Sequence, residues 1–186
     1  MKARGANEGN SLAGRLLLSH PAMKDPNFGR TVVLVSTHDA DGAFGLVLNR
    51  PLGRALGDVS ADFAVGALAA VPLYRGGPVE TDKLILAGWR WRPETGDFEA
   101  EIGLDPERAA RLALDPQATL RGFFGYAGWS KGQLETELRQ QTWFVADPAN
   151  FNLVSDDGPG LWRLVLGALG PELKLLADEP DDPSRN

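Results

Sequence analysis

The sequence predicts an α+β fold built on a hairpin-rich, mixed or antiparallel β-sheet, partly curled into a barrel, with about three flanking helices. Three observations predict it. Strand-like runs outnumber helix-like runs and cluster in pairs as hairpins. The strict strand–helix alternation of a doubly wound sheet is missing. Glycine (22 residues) and proline (13) are both abundant in the 186-residue chain. Their share lies above the usual combined level of about 12%, so turns are many and regular elements short.

The elements follow in order. Residues 1–11 are polar and read as a flexible N-terminal arm. "RLLLS" (15–19) predicts a first strand, ended by Pro21. "RTVVLVST" (30–37) is β-branched and predicts the second. "HDADG" (38–42) carries turn chemistry. "AFGLVLN" (43–49), closed by Pro51, predicts the antiparallel partner across a loop of about four or five residues. Residues 55–70 divide between a short helix capped by Asp58 or Ser60 and a glycine-weakened loop. "VPLYRGG" (71–77) is a strand running into a glycine turn, and "KLILAGWRW" (83–91) is another strand. "ETGD" (94–97) turns into "FEAEIGL" (98–104), which alternates like a half-buried strand. "DPERAARLAL" (105–114) is a helix, with Asp105 at the cap and Pro106 at the first helical position. "ATLRGFFGYAG" (118–128) is a strand with glycine interruptions, "KGQLETELRQ" (131–140) a helix and "TWFVA" (142–146) a strand. "GPGLWRLVLGALG" (158–170) is a helix ending at Gly170, and "ELKLLA" (172–177) predicts a last strand. These elements form one domain over 12–177, followed by an acidic, Pro-broken tail at 178–186.

Bulk properties narrow the function classes. The net charge of −6 opposes the basic footprint of a sequence-independent nucleic-acid binder. There is no cysteine, which excludes disulfides, thiolate metal sites and cysteine nucleophiles. No signal-peptide core or membrane-length apolar run is present, so a cytoplasmic protein without a membrane segment is expected. With two histidines and no cofactor-binding fingerprint, neither a metal nor a cofactor is expected.

Gly128-Trp129-Ser130-Lys131-Gly132 matches the G-x-S-x-G nucleophile elbow of serine hydrolases. Such a hydrolase needs a histidine base, and both histidines, His20 and His38, precede the serine and read as loop residues. The competing reading is a strand-to-helix turn, with Ser130 as helix N-cap and Gln133 completing a capping box. Arg75 beside Gly76 and Gly77 can form a backbone nest for an anion, or simply a tight turn. "GWRWRP" (88–93) sets aromatic beside basic residues, but strand alternation sends Trp89 and Trp91 to one face and Arg90 and Arg92 to the other. Asn49 and Arg50, at a strand end before Pro51, can bind a carboxylate or phosphate or cap a loop.

Four stretches together resemble the YqgE/AlgH family of bacteria. They are "GRLLLSHPAMKDPNFGRTVVLV" (14–35), "GAFGLVLNRPLG" (42–53), "LYRGGPV" (73–79) and "FFGYAGWSKGQLETEL" (123–138). "LWRLVLGALG" (161–170) is similar to its actinobacterial-type members. The resemblance implies an α+β domain with a bifurcated, barrel-like sheet in a cytosolic protein. It implies no particular reaction. One family name connects it with transcriptional regulation of alginate production.

The expectation is a non-catalytic binding or regulatory protein. Its cleft for a polar or anionic ligand, or a protein partner, is expected to gather Asn49, Arg50, Arg75, Gly76, Gly77, Tyr126, Trp129, Gln133 and Glu135. The alternatives are a transcriptional regulator acting indirectly or through weak DNA contact, and a hydrolase using Ser130 or Glu135.

Overall fold

The structure is a computed structural model that describes residues 11–92, 94–151, 153 and 158–179. Residues 1–10 of the expected arm and 180–186 of the expected tail lie outside the described residues. Among the described residues nine strands join in one sheet: β1 (Leu16–Ser19), β2 (Val32–Asp39), β3 (Gly42–Val47), β4 (Pro51–Ala55), β5 (Pro72–Arg75), β6 (Val79–Arg92), β7 (Asp97–Ile102), β8 (Ala118–Ser130) and β9 (Trp143–Ala146). The helices are α1 (Leu56–Val59), α2 (Pro106–Leu112), α3 (Gln133–Arg139), α4 (Gly158–Ala168) and α5 (Pro171–Asp178). None of the described helices is long and apolar enough to cross a membrane.

The main path of the sheet runs β4-β5-β8-β3-β2-β1-β9, with β6 against β8 and β7 against β6. The sheet is mixed, because β5 runs parallel to β8 while the other pairings are antiparallel. It forks along β8. Residues 122–124 of β8 lie between β5 and β6, whereas its last four residues pair with β3. Gly76 sits in the fork: its N–H donates to the Phe124 carbonyl at 2.8 Å and its carbonyl accepts from Val47 N–H at 2.8 Å. A side chain on Gly76 would overlap the Gly125 carbonyl, and one on Gly77 the Tyr126 carbonyl. The two glycines are the width of one backbone against another.

Both faces of the central strands are covered, which is why "LLL" at 16–18 is apolar at every position. Leu16 and Leu18 join the core under α4 and α5 with Phe123 and Trp162. Leu17 joins the opposite core under α3 with Trp129, Leu134 and Trp143. A third cluster, including Leu56, Leu73 and Ala109, packs near α1 and α2. Arg121 is 3% exposed on β8, donating to the Leu48 and Leu153 carbonyls with its guanidinium over the Tyr74 and Trp89 rings. That partnership makes a buried cation tolerable.

Several local expectations are corrected. The β2–β3 hairpin pairs through Asp39 and Gly42, leaving a two-residue loop rather than four or five. Pro51 begins an edge strand, β4, where its missing N–H costs nothing. Asp58 lies inside α1 and reaches back to the Ala55 N–H, and Ser60 follows the helix. The largest correction is 172–177, a helix and not a strand. Gly170 and Pro171 open α5, and Leu173, Leu176 and Ala177 recur at helical spacing. Among the described residues five helices therefore accompany the sheet where about three were expected.

Candidate functional site

The nine expected site residues do not meet in one cleft. Asn49 is fully buried, and its side chain works as a clamp. Its Oδ1 accepts from Val32 N–H at 2.9 Å, while Nδ2 donates to the Arg30 and Gly158 carbonyls, each at 2.9 Å. Gly76 spends its N–H on Phe124, so that amide is not available to an anion nest. Arg75 is exposed on β5, and its N–H donates to the Arg50 carbonyl. Tyr126 is half-buried against Phe44, with ring centroids 4.8 Å apart, on the α4–α5 side of the sheet. Trp129, three positions along the same strand, lies on the opposite face.

On that face α3 builds a closed polar knot. Trp129 Nε1 and Trp143 Nε1 both donate to Glu137 Oε2, at 2.9 and 2.7 Å. Gln133 Nε2 donates to Glu137 Oε1 at 2.9 Å. Gln133 Oε1 accepts from both the N–H and the hydroxyl of Ser130. Ser130 is thus the last residue of β8 and a donor to Gln133, not the helix N-cap. Gly132 takes the cap position in a left-handed conformation, with φ 74°. Phe28 completes an aromatic triangle with Trp129 and Trp143. The knot pins α3 to the sheet.

Glu135 turns the other way, to the edge of a cleft of about 420 Å³ that includes His38, Ser11, Leu12, Asp39 and Leu138. His38, expected in a loop, lies in β2 with its side chain only 6% exposed. Its Nδ1 accepts from Leu12 N–H at 3.0 Å, which places the ring proton on Nε2, 3.0 Å from Glu135 Oε1. Glu135's own backbone N–H, chiefly, holds its carboxyl below the usual carboxylate range; burial opposes this and His38 assists it. Neither ring nitrogen retains an unused lone pair, so His38 does not offer a general base while Leu12 stays in place. It also makes no hydrogen bond to Ser130, whose hydroxyl is held by Gln133. The serine-hydrolase geometry is not assembled.

A second cleft, of about 600 Å³, gathers cations. Lys24, Arg30 and Arg50 line it with His20, and the acids there are Asp25 and Glu179. The loop between β1 and β2 builds the wall. Asp25 Oδ1 accepts from the Asn27 and Phe28 N–H groups and folds the turn. Arg30 takes φ 55°, its guanidinium lies over the Trp162 ring, and its Nη2 donates to the Glu179 carbonyl at 2.6 Å. Arg50 Nη2 donates to the Gly29 carbonyl. His20 stacks on Phe144, and its Nδ1 accepts from Ala22 N–H. Of the expected site residues only Arg50 lines this cleft. Lys24, Arg30 and His20 were not among the expected residues, although all three lie in the "SHPAMKDPNFGR" stretch that carries the family resemblance. Their convergence is not written locally, because it depends on Asn49 tying β2 to the strand end at Arg50.

A curled, forked sheet flanked by helices places the chain among α+β domains built on a single mixed sheet. The family assignment is narrower. The chain belongs to the AlgH-like family, whose model matches residues 16–174. A UPF0301 protein of Streptomyces coelicolor is 40% identical over 98% of this chain and 99% of its own length. A UPF0301 protein of Bacteroides fragilis is 34% identical over 93% of this chain and 90% of its own. Among solved structures, a Corynebacterium diphtheriae protein superposes with a TM-score of 0.67 and 25% identity, covering 95% of this chain and 96% of that one. The AlgH protein of Pseudomonas aeruginosa gives 0.63 and 27%, covering 96% and 100%.

Proposed function

We propose that this chain is a non-catalytic binding protein with a regulatory role, and that its ligand face is the cleft lined by Lys24, Arg30 and Arg50. One observation carries the reading: three cations, against the two acids Asp25 and Glu179, line one cleft of about 600 Å³ in a chain whose net charge is −6. Against that background a local excess of positive charge attracts an anionic group. The positive charge of an ammonium or guanidinium suits a carboxylate or phosphate. The rest of the wall, including Pro21, Met23, Pro26 and Leu176, is apolar enough to take a nonpolar portion of the same ligand. The alternative centre, His38 with Glu135, supports this reading by exclusion, since both ring nitrogens are engaged.

The test is a titration of the full chain with inorganic phosphate, followed through backbone amide resonances. Shifts confined to residues 20–30 and Arg50, weakened in Lys24→Gln and by added salt, are expected. Unmoved resonances in that region at millimolar phosphate would overturn the proposal.

A further inference from the structure

His38 is bridged between two partners that favour opposite charge states of its ring. Its side chain is only 6% exposed. Nδ1 accepts from Leu12 N–H at 3.0 Å, a bond that only the neutral ring can make. Nε2 lies 3.0 Å from Glu135 Oε1, a contact that strengthens when the ring is charged. We infer that His38 is a pH-sensitive latch. Neutral, it holds residues 11–13 beside α3; protonated, it keeps Glu135 and releases the Leu12 backbone.

Three points carry it. The first is a conflict of donors. A proton on Nδ1 turns the acceptor into a donor facing the Leu12 N–H, so the bond is abolished rather than weakened. The second is compensation. A nearly buried ring that gains a charge needs a partner. Glu135 supplies it, because its carboxyl is held below the usual carboxylate range, chiefly by its own backbone N–H, and stays ionised where histidines titrate. The other charges nearby leave that pairing in place. Asp39 lines the same cleft and also favours a charged ring. Asp41, in the β2–β3 turn, donates its N–H to Asp39 Oδ1. Arg139 acts on Glu135 from the next turn of α3, Glu137 is spent on the two indoles, and Arg15 pairs with Asp147. Among the described residues lining the cleft there is no lysine or arginine. The third point is a hinge. Gly14 takes φ 81° with open space around it, and its N–H donates to the Val35 carbonyl at 2.8 Å. Release therefore stops where the chain pairs with β2. Before that point the Ser11 hydroxyl donates to the His38 carbonyl at 2.9 Å, but this bond is exposed to water. Leu12 and Leu138 both line the cleft and both pack at the edge of the core beneath α3. Opening the latch uncovers that apolar edge and widens the cleft of about 420 Å³.

The experiment follows the full chain by nuclear magnetic resonance from about pH 8 to about pH 5, the range in which a histidine changes charge. The His38 ring resonances report protonation. Hydrogen exchange of the Leu12 amide, corrected for the intrinsic pH dependence of exchange, reports the latch. Leu12 protection is expected to fall about ten-fold, with the same midpoint as the ring. His38→Asn offers an acceptor near the Nδ1 position and takes up no proton, so its Leu12 amide should show no step over the same range. In Glu135→Gln the midpoint should move to lower pH, because the charged ring loses its counterion. The latch is overturned if Leu12 protection stays constant while the ring titrates, or if the ring takes up no proton above about pH 5. It is equally overturned if His38→Asn shows the same step, or if the midpoint in Glu135→Gln does not fall. The titration of the parent chain decides the matter even where a substituted chain fails to fold.

Discussion

The stretch from Tyr126 to Glu137 and the stretch from His20 to Arg30 carry equally distinctive residues, yet they do different work. In the first, the polar groups turn inward on each other. Glu137 takes two indole N–H groups and Gln133, and Gln133 takes Ser130. In the second, a turn held by Asp25 sets cations side by side along a cleft. A tryptophan, a glutamine and a glutamate look functional in a sequence. Once their hydrogen-bonding capacity is consumed internally, what they supply is specificity of packing. The arginines of the cleft make internal contacts too, Arg30 with Trp162 and the Glu179 carbonyl and Arg50 with the Gly29 carbonyl, but they line an open wall together with Lys24, and that distinguishes the cleft from the knot.

Substitutions can break or sharpen that contrast. The largest effect is expected at the fork. Gly77→Ala places a methyl group on the Tyr126 carbonyl at φ 154°, so it should cost on the order of 4 kcal/mol or more and leave little folded protein. A soluble variant with parental melting behaviour would remove the fork from the account. Next is the knot. Glu137→Ala leaves two indole donors without their acceptor and should cost about 2–3 kcal/mol in urea unfolding, with phosphate binding unchanged. If binding were lost while stability held, the knot would be a site after all.

A smaller effect is expected from Glu135. Its folded-state pKa is depressed, so the stability it contributes is present above the unfolded value of about 4.3 and is lost as pH falls through the folded one. Glu135→Gln should flatten the acid limb of a stability–pH profile below that range and leave neutral pH nearly unchanged. Its side chain is 41% exposed, so solvent screens the contribution. Ser130→Ala should change stability by no more than about 0.5 kcal/mol, because the Ser130 N–H still donates to Gln133. A loss above about 1 kcal/mol in thermal unfolding would restore a capping role. Lys24→Gln should be neutral in stability, since the residue is exposed, while weakening phosphate binding several-fold. That combination is the signature of the cleft, as the Glu137 result is of the knot.

Much of the fold was legible because local rules agreed with it. β-branched runs marked β2, Asp105 and Pro106 marked the start of α2, and the hairpin pairing of β2 with β3 followed from their spacing. The last helix was misread because "ELKLLA" fits a strand or a helix about equally over so few residues. Only the Gly170-Pro171 opening tips it toward α5. The candidate site was legible in part. Arg50 lines the proposed cleft, but the expectation grouped it with residues from both faces of the sheet.

By itself the sequence determined the fold class, the family and the identity of the unusual residues, because periodicity, turn chemistry and motif spacing are written locally. The tertiary structure decided which of those residues are satisfied and which are gathered. Gly76 reads as a nest until β8 is laid across it, and Asn49 reads as a ligand until Val32, Arg30 and Gly158 close around it. Arg30 and Glu179 lie far apart in the chain, and only folding makes them two sides of one cleft. Hydrogen-bond satisfaction and the clustering of charge are long-range properties, set by which strands pair rather than by which residues follow one another.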